Sequence, residues 1–303
     1  MLRPLRVPAC FLLALLFLAP SLRADVRETP GVVKVMSYNM ENFFDVFDDP
    51  YTADEGTPPK MRDQIKLLAE TIRKADPDVL AVVEVENEHV LRAMVREFLS
   101  DMGYQYIDVD QSNDFRGIKV GVISRLPILR TASYRHQQFK VEGRDRPMAM
   151  SRGLFQVTLD AGAKQPLQLF VVHLKSKRSA EGDPKSAHRR LAEATFVKSV
   201  IGQQLKANPD AWLALVGDLN DTPDSPPMHA LLEDHELIDV HAGLPADQRI
   251  TYLNEPYRST IDYILVSPAL DKRVVKDSAN LVRDEAMLKG SDHAPVFVTF
   301  DLK

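Results

Sequence analysis

The segment Trp212-Leu213-Ala214-Leu215-Val216-Gly217-Asp218-Leu219-Asn220-Asp221 constrains this chain more than any other. An apolar run of strand length stops at a glycine and then presents three hydrogen-bonding side chains within four positions. A strand apolar on both faces is buried on both. Its C-terminal end is held still by the sheet, and a reacting group is best mounted on such an end. Taken alone, Asp-Leu-Asn-Asp before Thr222-Pro223 is equally good turn chemistry. The same ending recurs elsewhere, and the recurrence carries the argument.

A first strand is expected over residues 32–39, ending in Asn39 with Glu41 just beyond. Residues 79–83 run into Glu84, and residues 167–172 run into His173. Asp262 opens a strand over 261–266, and Asp292-His293 precedes a last alternating strand over 296–302. A single polar residue at a strand end is a turn residue; the same placement on strand after strand describes a site. Helical spacing appears at Ile65, Leu68, Ala69 and Ile72, at Val90, Leu91, Met94 and Val95, and along 188–205, with a short helix at 228–232. Residues 104–109 and 118–123 read as strands, 154–159 and 167–172 as a hairpin, and the acidic, proline-bearing 43–60 as a surface loop. One α/β domain with mixed sheets is expected over residues 25–303.

Residues 1–24 place Arg3 and Arg6 ahead of an apolar stretch over 9–18 and then Ser21-Leu22-Arg23-Ala24, the layout of a cleaved export signal. That stretch is about half the ~20 residues a spanning helix needs, so no stable membrane anchor is expected after cleavage. The expected destination is the periplasm or the medium. Cleavage removes three of the 38 basic residues and none of the 43 acidic ones, leaving a net charge of −8. Such a balance excludes a cationic field over the whole surface, so any nucleic-acid groove must be local. The sole cysteine, Cys10, leaves with the signal, and the mature chain relies on its core without disulfides. The remaining length suits one large monomeric domain.

Carboxylates and histidines without cysteine select a hard cation over zinc: Mg²⁺, with Mn²⁺ or Ca²⁺ as alternatives. A metal, an activated water and cationic donors are the parts of phosphoester hydrolysis. There is no glycine-rich phosphate loop ending in Gly-Lys-Ser/Thr, no His-Glu-x-x-His and no Gly-x-Ser-x-Gly.

The motifs Ser37-Tyr38-Asn39-Met40-Glu41-Asn42, Val82-Val83-Glu84-Val85-Glu86-Asn87, Val172-His173-Leu174-Lys175-Ser176, Gly217-Asp218-Leu219-Asn220, Ile261-Asp262-Tyr263 and Ser291-Asp292-His293-Ala294-Pro295 resemble, in order, those of the endonuclease/exonuclease/phosphatase family. The likeness covers nearly the whole mature chain, and its start looks like bacterial extracellular nucleases. It implies a deoxyribonuclease I-like, four-layered α/β sandwich with two central mixed β-sheets flanked by helices. It implies Glu84 as principal metal ligand, with Glu41 and Asn39 close to the metal and the scissile phosphate, and Asp292 near the metal. Asp218 is implied to position or deprotonate the attacking water, and Asn220 to hold it or a phosphate oxygen. His293, oriented by Asp262, is implied to donate to a non-bridging oxygen, and His173 to lie near the leaving group. The carboxylate supporting His173 stays open among Asp108, Asp110 and Asp114. Arg146 and Lys175, with Lys177, Arg178, Arg116 and Lys119, are candidate phosphate contacts. The activity expected is an exported metal-dependent nuclease cleaving DNA or RNA. Inositol phosphates or lipid headgroups are the alternative substrates, and a catalytically inactive binding protein is a remote alternative.

Overall fold

Strands that are apolar on both faces must be covered on both, and this requirement orders the molecule. A computed structural model describes residues 31–303, so the expected export signal at residues 1–24 lies outside the described residues. β1 (Val32–Phe43) leads through α1 (Arg62–Ala75) to β2 (Val79–Val85), α2 (Glu88–Phe98), β3 (Tyr106–Val109), β4 (Lys119–Ser124) and β5 (Ile128–Ser133). Two short strands, β6 (Gln138–Phe139) and β7 (Met148–Ala149), precede the hairpin of β8 (Leu154–Leu159) and β9 (Leu167–His173). The long α3 (Ala187–Ala207) reaches β10 (Trp212–Asp218), followed by α4 (Pro226–Leu232), β11 (Ile238–Asp239) and β12 (Asp262–Val266). The chain closes with α5 (Pro268–Asp271), β13 (Asn280–Leu281) and β14 (Val296–Asp301).

One six-stranded sheet runs β13-β14-β1-β2-β4-β3 and the other β11-β12-β10-β9-β8-β5. Both are mixed: β1 is parallel to β2 and antiparallel to β14, and β10 is parallel to β9 and antiparallel to β12. The period of two along each strand sorts its side chains into layers. Val79, Ala81 and Val83 of β2 join Trp212, Ala214 and Val216 of β10 between the sheets. Leu80 and Val82 face Leu68, Ile72, Leu91 and Met94 of α1 and α2. Leu213 and Leu215 face Phe196, Val197 and Ile201 of α3 on the far side. Each such side chain contributes roughly 1.5–3 kcal/mol by leaving water. Helix, sheet, sheet and helix give the four-layered sandwich expected.

Register, which is a tertiary property, aligns the strand ends. Asp218 pairs directly with His173 on β9 and with Asp262 on β12. The preceding Gly217 has φ +138°, and a Cβ there would sit 1.9 Å from the Val172 carbonyl oxygen. Gly217→Ala is expected to cost roughly 3 kcal/mol or more by overpacking a backbone that cannot retreat, read as a lowered urea midpoint.

Two strands differ from the sequence reading at the site. β1 continues past Asn39 to Phe43, with a register shift against β2 and positive φ at Glu41 and Asn42 (48° each). β2 has its own shift against β4 at Glu84, whose φ is 60°. Strained non-glycine backbone of this kind persists where surrounding structure over-determines it, and here it re-aims two carboxylates. Residues 44–61 form the expected loop, although Asp54 and Lys60 within it are buried. β5, an edge strand with an exposed face, carries too little apolar pattern to stand out in the sequence.

Candidate active site

The polar ends of β1, β2, β9, β10 and β12 and the segment before β14 converge on one cleft of about 760 Å³. Asn39 is buried behind the lining residue Asp218. Its Nδ2 donates to Asp218 Oδ2 at 3.0 Å and lies 3.4 Å from His293 Nε2. Its Oδ1 accepts from the Glu41 N–H at 2.9 Å. Asp218 Oδ1 accepts from the Asn220 N–H at 2.8 Å, and Asn220 Nδ2 donates to the Leu174 carbonyl at 3.1 Å. Asn220 also takes positive φ, 53°, so the chain turns sharply just past the strand.

His293 Nδ1 and Asp262 Oδ2 are 2.7 Å apart and buried. Asp262 is fixed through its backbone N–H, which donates to Thr251 Oγ1 at 3.0 Å. Ser291 Oγ donates to the Asn39 carbonyl at 2.8 Å and accepts from the His293 N–H at 3.1 Å, binding that loop to β1. Burial opposes a charge on His293, but Asp262, Asp218 and Asp292 together hold its pKa well above the ordinary histidine value. His173 goes the other way: burial, then Arg152 and His293, push it well below. The surroundings thus favour the imidazolium at His293 and the neutral ring at His173.

His173 Nε2 is 3.6 Å from Asp218 Oδ2 and 3.8 Å from Glu84 Oε1. Its Nδ1 has no hydrogen-bond partner among the described residues, so none of Asp108, Asp110 and Asp114 supports the ring. Those carboxylates are engaged elsewhere. Asp110 accepts from Ser133 Oγ at 2.7 Å, and Asp114 from Arg152 Nε at 3.0 Å. Asp108 interacts with Thr131.

Glu41, Glu84 and Asp292 all line the cleft. Glu84 Oε2 accepts from the Asn42 N–H at 3.0 Å, and Glu41 Oε2 from the Asp292 N–H at 3.1 Å. Asn254 Nδ2 donates to Asp292 Oδ2 at 2.9 Å. The donors suit a hard divalent cation, being oxygens and imidazole without sulfur. Glu84, His173 and Asp218 bring ligand atoms within 4.8 Å of one another. Asp218, Asp262 and His293 do so as well, but their Nδ1–Oδ2 bond makes that group an internal ion pair. Charge balance agrees: burial and then Asp262 push Asp218 up to about 7. Burial, with Glu41 and Glu84 nearby, pushes Asp292 up to about 6. Buried Lys60, 3.8 Å from Glu41, offsets only part of this excess negative charge.

Lys175, Lys177, Arg178 and Arg116 line the cleft, with Lys177 Nζ 2.9 Å from Asp221 Oδ1. Arg146 does not; it is exposed on its loop away from the lining. Lys119 is buried and donates to the Glu86 carbonyl at 2.6 Å, also away from the cleft. The arginine that does reach the cleft from this part of the chain is Arg152, buried and bonded to Asp114 Oδ2 and, at 3.1 Å, to the Leu174 carbonyl. Its only sequence signal is its position two residues before β8. Tyr252, whose ring centroid is 5.2 Å from that of His293, was equally silent in the sequence because it stands on no strand.

A family model described as the Endonuclease/Exonuclease/phosphatase family matches residues 34–289. Among solved structures, the human Nocturnin catalytic domain with bound sulfate is 18% identical, covering 91% of this chain and 96% of its own at a TM-score of 0.61. Truncated Caenorhabditis elegans TDP2 is 19% identical, with 89% and 98% covered and a TM-score of 0.56. An endonuclease/exonuclease/phosphatase family protein from Bacteroides thetaiotaomicron is 20% identical, with 90% and 100% covered and a TM-score of 0.61. At such identities the likeness is one of fold. No curated protein matches the chain.

Proposed function

The chain belongs to the endonuclease/exonuclease/phosphatase family, a metal-dependent phosphodiesterase or nuclease, and on that premise we propose that it is an exported endonuclease that hydrolyses DNA or RNA. The observation that carries this reading is the placement of Asp218 beside Asn39 and His293 at a cleft whose walls hold Arg116, Arg152, Lys175 and Arg178. A phosphodiester with negatively charged neighbours fits such walls better than an isolated monoester does.

We assign the roles as follows. Glu84, Glu41 and Asp292 would hold the divalent cation, Mg²⁺ by preference, which would supply Lewis-acid polarisation of the phosphoryl group. Asp218 Oδ2, fixed by Asn39 Nδ2, takes the proton of the attacking water, and Asn220 anchors the turn that carries it. His293 donates from Nε2 to a non-bridging phosphoryl oxygen, its other nitrogen held by Asp262. His173, whose Nε2 lies 3.6 Å from Asp218 Oδ2, gives its ring proton to the leaving oxygen, and the proton Asp218 took from water restores it. Residues 1–24 support the exported destination only as sequence.

The test is a hydrolysis panel on the purified chain: plasmid DNA, RNA, inositol phosphates, sphingomyelin and a small phosphodiester. It is run with Mg²⁺, Mn²⁺ or Ca²⁺ and with a chelator. Nicking or degradation of nucleic acid that the chelator abolishes is the expected result. Headgroup or phosphate release with intact nucleic acid replaces the nuclease reading by a phospholipase- or phosphatase-type one.

A further inference from the structure

The cleft has features that neither metal binding nor proton transfer uses. Among the described residues eight large hydrophobic side chains stand exposed, and two of them, Phe115 and Tyr257, line the cleft at 71% and 73% exposure. Each is followed in sequence by an arginine that also lines it, giving Phe115-Arg116 and Tyr257-Arg258. Neither ring hangs from a loose loop. The Phe115 carbonyl accepts from the Ala53 N–H at 2.7 Å, and the Gly117 N–H closes the turn on the Asp114 carbonyl at 3.0 Å. Arg116 Nη1 donates to Asn42 Oδ1 at 3.2 Å. The Tyr257 N–H donates to the Asn254 carbonyl at 2.9 Å, and Ser259 Oγ donates to the Tyr257 carbonyl at 3.0 Å.

The topology sets these two dipeptides on either side of the reacting groups. Phe115 stands on the loop entering β4, Tyr257 on the loop entering β12. Between those strands, across the stacked sheets, lie β1, β2, β9 and β10, whose ends carry Asn39, Glu84, His173 and Asp218. An exposed ring and a guanidinium on each flank match the alternation of base and phosphate along a nucleic-acid strand. An intact duplex keeps its base faces stacked on each other and offers none to either ring. It also carries one charge per ~1.7 Å of axis along both strands, whereas the basic side chains that line the cleft are gathered in that one place.

Resting on the nuclease reading, we propose that Phe115-Arg116 and Tyr257-Arg258 form a two-sided clamp for unpaired nucleotides flanking the scissile phosphate. The rings stack on bases, the guanidiniums hold adjacent phosphates, and single strands are the preferred substrate over intact duplex.

Fluorescence polarisation with a labelled ten-nucleotide single strand, in chelator, is set beside the same measurement on an abasic strand of equal length. The wild-type chain is expected to bind the base-bearing strand more tightly, and Phe115→Ala/Tyr257→Ala to remove that difference. Each single variant is expected to lower kcat/KM on the strand, relative to a small phosphodiester, by roughly 5- to 150-fold. Both rings are exposed, and unchanged circular dichroism confirms folding. Equal binding of the two strands by the wild type, or equal cleavage of strand and duplex, overturns the clamp while leaving the nuclease reading in place. Variants that lose turnover on anionic phospholipid vesicles instead of on strands overturn it in favour of a lipid surface, which exposed Val46, Phe47 and Tyr51 would then join. A wild type that cleaves the small diester but no nucleic acid overturns both readings together.

Discussion

Asp218→Asn is expected to reduce turnover by about 10²–10⁴-fold while the protein stays folded. Asparagine keeps the volume of a side chain that is 2% exposed, and keeps the oxygen that accepts from the Asn220 N–H. It removes the only property the reaction needs there, the capacity to take a proton. The new amide meets Asn39 Nδ2 and loses one hydrogen bond, a cost of about 1–3 kcal/mol for buried donors left unpaired. Set against that is relief of the repulsion that burial and Asp262 impose on the native carboxylate. Thermal unfolding in chelator should therefore change little. Single-turnover hydrolysis with equal far-ultraviolet circular dichroism is the measurement. Near-normal turnover would remove Asp218 from the mechanism and leave the water's proton without its acceptor.

His293→Gln should lower kcat by about 10²–10³-fold with little change in KM. The reason is timing: a cationic donor aimed at a phosphoryl oxygen matters most where charge accumulates, in the transition state. Glutamine can donate a hydrogen bond from a similar position but carries no charge. It also deprives buried Asp262 of its partner, and an uncompensated buried carboxylate is destabilising in its own right. Asp262→Asn/His293→Gln, which removes both charges, is the folding control. If the double variant folds like wild type yet turns over near the wild-type rate, the His293 role is wrong. A rise in KM with kcat preserved would instead make His293 a ground-state binding residue.

The strands that carry the site were readable because both sheet faces are covered. β2 and β10 are apolar runs whose first polar side chains, Glu84 and Asp218, fall near the strand ends, and in β9 the run Leu169–Val172 ends at His173. Loops obey no such rule. Arg146 and Arg152 lie near each other in a basic segment, and nothing in their spacing says which one turns inward. That depends on Asp114 and the Leu174 carbonyl, residues supplied by other parts of the chain. The same holds for His173. The sequence left Asp108, Asp110 and Asp114 open as its support, and Thr131, Ser133 and Arg152 engage them instead.

Sequence alone determined the strands that carry the site and the polar residues at their ends, because burial on both faces makes each such strand a largely apolar run, and the resemblance carried by those ends implied the four-layered sandwich. Only the tertiary structure decided that Asp218 lies level with His173 and Asp262, since register depends on the partner strand. It also decided the opposite directions in which the two histidines are shifted, which follow from what surrounds each ring and not from the ring itself. The bulges at Glu41 and Glu84 belong with these, because a positive φ leaves no mark on residue type when packing elsewhere sustains it.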